Sequence, residues 1–245
     1  MRFACALRST SFVSLAGILF AAAAPATLIG PTAYTGFAGS PFDGTVFASF
    51  SLEDFEDGSL NTPGVTATTG GFVLGPGFGL TDSVENSPDG CNPSGVGGGS
   101  HSCAGYSYYA GGGGNKTLTF TFSGGLPTHA GIVWTDVGYL DGDSPPVYTG
   151  MGNVIFEAFD SGGFSLGTVG PVLLGDGVAA PQSAEDRFFG AMNATGISRI
   201  EISMPASDDW EVDHLQYGIV PEPGTGALVS LGLLGLLVGG RRRGR

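Results

Sequence analysis

The chain reads as an all-β protein, a jelly-roll-like antiparallel β-sandwich over residues 42–219. Three observations predict this. Apolar residues in the body recur with period two rather than 3.6, the period of strands with one buried face. Turn residues separate these runs at short intervals, and 45 glycines in 245 residues suit tight hairpins and bulges. No stretch of the body offers a long amphipathic helix, AEDRFFGAM being at most a short helical turn. A charged content of 13% with 11% aromatics is the wrong composition for a disordered chain.

In order along the body, residues 27–41 read as a linker and Gly111 to Gly114 as a loop. Leu118, Phe120 and Phe122 alternate with threonines in KTLTFTFSGG, which predicts a strand with one buried face. Ile132 and Trp134 alternate in AGIVWTD, and Val154, Phe156 and Ala158 do so in NVIFEAFDSGG. Ile200, Ile202 and Met204 line another strand, and VDHLQYG closes the domain.

The two ends differ from the body. Met1 to Ala26 carries Arg2 and Arg8, an apolar run from Phe12 to Ala24 and small residues at Ala24 and Ala26, the pattern of a secretory signal peptide (residues 1–26). Residues 224–240 are 17 residues without a charge, which as a helix reach roughly 25 Å. Against a hydrocarbon core of about 30 Å this is a short transmembrane helix. Arg241, Arg242, Arg243 and Arg245 follow in the tail 241–245, and by the positive-inside rule they hold the terminus in the cytoplasm with the body on the other side.

Pro221, Glu222 and Pro223, then the apolar run, then Arg241, Arg242 and Arg243 resemble the PEP-CTERM sorting signal of bacterial exported proteins, covering residues 220–245. The resemblance implies an inner-membrane anchor through the C-terminal helix. It also implies a processing partner, the cysteine transpeptidase-like enzyme exosortase, and final delivery to the cell surface or the extracellular space. FSLEDFEDGSLNTPGV, EDRFFGAMNATGISRIEIS and DDWEVDHLQYG also loosely resemble the bodies attached to such signals. The last of these is similar to the closing strand of jelly-roll carbohydrate-binding modules.

Between the ends, residues 27–220 hold 21 acidic residues against Lys116, Arg187 and Arg199, a net charge of −18. Such a surface repels phosphate backbones and excludes nucleic acid as a partner, leaving divalent cations and neutral sugars. Cys91 and Cys103 bracket a Gly- and Ser-rich loop in an oxidising compartment and are expected to form a disulfide. A zinc site with His101 is the weaker alternative, since no fourth ligand stands at metal-site spacing.

Two acidic segments stand near the ends of the body, LEDFEDG and SDDWEVDH. Side-by-side first and last strands would bring Glu53, Asp54 and Asp57 toward Asp209 and Asp213, a candidate site for structural calcium, with Asp141 and Asp143 a second one. The alternative is that these acids line solvated turns. Tyr106, Tyr108 and Tyr109 in GYSYYAGG are candidate stacking faces for a polysaccharide, or else pack over the neighbouring loop.

Catalysis is not expected. Glu211, Asp213 and Gln216 match the Glu-x-Asp-x-x-Glu strand of jelly-roll glucanases except at the last position, where the acid/base carboxylate is missing. Neither a G-x-S-x-G elbow nor an H-E-x-x-H motif occurs, and GPGFGL has the setting of a loop rather than a phosphate cradle. Three readings remain: a non-catalytic surface or matrix protein associated with exopolysaccharide, a cryptic sugar hydrolase, and a structural adhesin without a small ligand.

Overall fold

The computed structural model describes residues 25–68, 71–75, 83–84, 105–110, 116–137, 152–174, 186–205, 208, 210–221 and 232–233. Among them the chain forms β1 (Thr27–Ala33), a 3-10 turn (Phe37–Gly39), β2 (Ser49–Glu53), β3 (Val65–Thr68), β4 (Phe72–Leu74), β5 (Ser107–Tyr109) and β6 (Thr117–Phe122). These are followed by β7 (His129–Val137), β8 (Asn153–Phe159), β9 (Ser165–Leu173), β10 (Arg187–Met192), β11 (Arg199–Ser203) and β12 (Trp210–Ile219).

The strands make two antiparallel sheets. One runs β1-β10-β7-β12-β5-β4, with β2 also paired to β12; the other runs β3-β6-β11-β8-β9. From β5 to β12, the chain crosses between sheets at every step except β8 to β9. Strand β12 is the spine of the first sheet. One edge lies on β7, while the other meets β5 near its start, at Glu211 and Val212, and β2 near its end, from Leu215 to Ile219.

The period-two runs face each other across the gap. Leu118, Phe120, Phe122, Phe156, Ile200 and Ile202 from one sheet meet Ile132, Trp134, Phe189, Val212, Leu215 and Tyr217 from the other. Phe156 stacks on Phe189 with ring centroids 6.4 Å apart, and Phe122 meets Tyr217 at 5.1 Å. Each fully buried side chain of this size contributes about 1.5–3 kcal/mol by leaving water, which makes this layer the main source of stability.

A second, smaller apolar cluster covers the outer face of the first sheet: Tyr34, Phe42, Val84, Val133 and Phe188, with Ile29, Phe47 and Met192 against it. This corrects the linker expected at residues 27–41. Thr27–Ala33 is an edge strand paired with β10, and Tyr34 and Phe42 are both buried. Its Gly, Pro and Thr content has a structural reason. A Cβ on Gly30, at φ +110, would stand 2.5 Å from the Phe188 carbonyl oxygen, and Pro31 lies where the register shifts, so the ladder there does not need its missing N–H.

The short helical turn expected at AEDRFFGAM is also corrected, since Arg187–Met192 is strand β10. Phe188 faces the outer cluster and Phe189 the inner one, so burial on both faces erases the alternation that marks a half-exposed strand. The signal peptide lies outside the described residues except for Pro25 and Ala26. The transmembrane helix expected at 224–240 also lies outside them except for Gly232 and Leu233, which are helical. Among the described residues no helix is long and apolar enough to cross a membrane.

Candidate functional site

Strand β12 carries the polar row that the sequence singled out. Trp210, Val212, Leu215 and Tyr217 point into the main core. Strict alternation cannot supply that set, and the chain resolves it with a bulge: His214 adopts φ 43, and the register against β7 shifts between Asp213 and Gln216. The extra residue puts Glu211, Asp213 and Gln216 together on the outer face.

That face is covered rather than open. Ser107 Oγ donates to Glu211 Oε2, and Val84 N–H donates to Asp213 Oδ2 at 2.9 Å. Ser40 Oγ donates to Gln216 Oε1 at 2.6 Å, Gln216 Nε2 donates to the Tyr34 hydroxyl at 3.0 Å, and that hydroxyl lies 2.8 Å from His214 Nδ1. Glu211, Asp213, His214 and Gln216 are all buried. The row fastens the segment around Tyr34 and Ser40, and the loop at Val84, onto the sheet. Sequence reasoning missed this latch because its partners come from the supposed linker; isolated Tyr34 and Phe42 in a Gly-rich stretch were the available signal.

The two acidic segments do approach each other, since Glu53 pairs with Leu215 across β2 and β12. In the first segment, Glu53, Asp54 and Asp57 nevertheless turn to their own loop, while Glu56 reaches Tyr106. Glu53 accepts the N–H of Phe55, Asn61 and Thr62, each at 3.0 Å, and the Thr62 hydroxyl at 2.8 Å. Asp54 accepts the N–H of Glu56 at 3.2 Å, and Glu56 accepts that of Tyr106. Asp57 accepts from Asn61 Nδ2 and from Ser59, hydrogen bonds that hold its carboxyl below the usual range. Among the described residues no group of three or more His, Cys, Asp or Glu side chains could hold a metal ion. Asp209, Asp141 and Asp143 lie outside the described residues, as do Cys91, Cys103 and His101.

Of the three tyrosines placed by sequence in a GYSYYAGG loop, Tyr108 and Tyr109 lie instead in strand β5, and Tyr106 immediately precedes it. Tyr108 packs against Phe55 and Phe120, donates its hydroxyl to the Gly71 carbonyl at 3.0 Å, and has its phenol pKa raised by burial. Tyr106 is half-buried over Gly75, where a Cβ would stand 2.2 Å from its ring. Tyr109 is half-buried, like Tyr106, and meets the exposed Phe72 edge-on at 5.5 Å. His129 lies between the Phe42 and Phe47 rings, and burial lowers its pKa.

The end of β12 is where the folded body gives way to the C-terminal tail. Ile219 pairs with Ser49, its carbonyl accepts the N–H of Ala48 at 2.7 Å, and Val220 N–H donates to Thr128 Oγ1 at 2.9 Å. Pro221 is exposed, one residue past this clamp. Beside the exit lies a cavity of about 280 Å³ lined by Phe50, Pro63, Phe122, Pro127, Tyr217 and Ile219 among others. No curated protein and no solved structure matches the chain. Residues 220–243, starting at the clamped Val220, match the PEP-CTERM protein-sorting motif, so the chain carries the signal of exosortase substrates, which implies export and membrane-anchored transit before processing.

Proposed function

We propose that this chain is a non-catalytic bacterial surface or extracellular-matrix protein with a jelly-roll body, held in the inner membrane by residues 224–240 and released by exosortase. The observation that carries the reading is the sorting motif starting at the residue where the folded body ends. The interleaving of β5 to β12 between the two sheets supports the jelly roll. The non-catalytic reading is supported by the β12 row, where Glu211, Asp213 and Gln216 are each engaged by protein groups and shielded from solvent.

The intact mass of protein recovered from cells with an exosortase tests the sorting. A mass lacking everything beyond about Pro223 is expected, and Glu222→Ala leaves the precursor in the membrane fraction. A recovered mass that includes residues 224–245 would sink the reading. For a polysaccharide partner, the surface that fits is the Phe72–Tyr109 pair at the sheet edge, because sugar rings stack on aromatic faces and the acidic body repels polyanions. Retention of the body on neutral polysaccharide, lost in Phe72→Ala and Tyr109→Ala, tests it; no retention on any polysaccharide favours the adhesin reading.

A further inference from the structure

The two segments that target this chain leave the sandwich from the same end. In β1, Thr27 stands opposite Met192; Met192 stands opposite His129, and His129 opposite Gly218, next to the last residue of β12. Three strand steps of about 4.8 Å put the two exits roughly 14 Å apart. The short connections from β6 to β7 and from β10 to β11 join both sheets at this end. They are tied together by Ile197 N–H to the Pro127 carbonyl and Asn193 N–H to the Thr128 carbonyl, both at 2.8 Å.

Two of the most exposed large apolar side chains stand at this end. Val46, just before β2, is 80% exposed, and Phe164, in the turn between β8 and β9, is 74% exposed. Neither position is a matter of slack chain. The carbonyl of Ile219 holds Ala48 N–H at 2.7 Å, and Phe47, the residue before Ala48, packs against His129. Asp160 Oδ1 accepts the N–H of Gly162 at 2.8 Å and of Phe164 at 2.9 Å, so the turn presents Phe164 outward. Leu173, 66% exposed, and Phe72 lie at the opposite end, by the pairings Leu173 with Asn153 and Phe72 with Tyr109.

The tether length fixes what this end faces. Val220 is the last clamped residue and the charge-free run begins at Gly224, so four extended residues allow at most about 14 Å between the body and the start of the anchor. We propose that the end of the sandwich bearing Val46 and Phe164 rests on the membrane surface before processing and inserts these two side chains into the lipid interface. The inference rests on the anchored-transit reading above. Asp43 and Asp160 on the same end and the body's net charge of −18 make the contact apolar rather than electrostatic, so the surface it fits is zwitterionic lipid. The contact sets the body upright and brings Pro221 to the membrane plane, where a membrane-embedded enzyme can reach it.

The test uses the full chain reconstituted in phosphatidylcholine vesicles, with an environment-sensitive fluorescent amino acid at position 46, 164, 72 or 173. All four positions are exposed, so the probes leave the fold intact. A blue shift quenched by brominated lipid at 46 and 164, and absent at 72 and 173, is the expected result. A chain that floats with the vesicles while all four probes report water overturns the contact. A chain that does not float overturns the anchored reading itself. A shift at 46 and 164 that arises only when exosortase is added to the vesicles assigns this end to the enzyme and overturns the lipid assignment.

Discussion

The hydroxyl of Tyr34 lies 2.8 Å from Nδ1 of His214, a contact between the first segment of the body and its last strand across 180 positions of sequence. The same hydroxyl accepts from Gln216 Nε2 at 3.0 Å, so one phenol serves two buried polar groups on β12. Tyr34→Phe keeps the ring against Phe188 and removes that service. A buried polar group left without its partner costs about 1–3 kcal/mol, and urea unfolding of the variant is expected to show a loss of this size. Deleting residues 27–41, which removes β1 and Tyr34 together, destabilises by more; an unchanged midpoint would restore these residues to the status of a linker.

Asp213 separates a latch from a calcium site. Its Oδ2 holds Val84 N–H at 2.9 Å and its Oδ1 holds His214 N–H at 2.6 Å. Asp213→Asn retains shape and one acceptor but loses the charge on these bonds, and hydrogen bonds to charged groups are worth about 1.5–3 kcal/mol. The variant is expected to melt lower by the same amount in millimolar calcium and in chelator. A wild-type melting temperature that rises with calcium, and a variant that does not respond, would show that a cation is held there after all.

Legibility in the sequence followed exposure. Strands β6, β8 and β11 have one face in the core and the other partly open, so TLTFTF, NVIFEAF and RIEIS kept the period-two signature. Strand β10 is buried on both faces and reads as a continuous apolar run, while β1 is an edge strand whose Gly30 and Pro31 answer local crowding and a register shift. The nearness of β2 and β12 was legible from the sandwich architecture. What the acids do there was not, because three of the four hydrogen bonds to Glu53 come from backbone amides two, eight and nine residues on, and backbone donors leave no mark on composition.

His129 gives the body a pH dependence of fixed sign. Packed between Phe42 and Phe47, with Thr128 Oγ1 3.0 Å from Nδ1, its imidazolium is disfavoured by burial, so its folded-state pKa lies below the ordinary 6.5. The unfolded chain therefore takes up a proton near pH 6.5 that the folded chain refuses until lower pH. The stability tied to the neutral ring is fully present above pH 6.5 and is lost as pH falls through the window between the two values. Melting temperatures of wild type and His129→Phe from pH 8 to pH 5 check this: the wild type is expected to lose more, and parallel curves would assign the pH dependence to other groups.

The clamp at the end of β12 defines where processing can cut without harming the body. Ile219 and Val220 are held by Ala48 N–H and Thr128 Oγ1, whereas Pro221 is exposed. Cleavage beyond Pro223 leaves every one of these bonds in place, so a chain ending at Pro221 is expected to unfold at the same urea midpoint as the body of the precursor. A chain ending at Gly218 loses the Ile219 carbonyl that accepts from Ala48 and the Val220 N–H that donates to Thr128. It also uncovers Tyr217 beside the cavity at this end. With each hydrogen bond worth about 0.5–1.5 kcal/mol, the shorter chain is expected to be less stable by about 1–3 kcal/mol. Equal stability of the two truncations would mean that the last strand ends its structural role before Ile219, and that the sorting motif hangs from a longer free tether than the clamp implies.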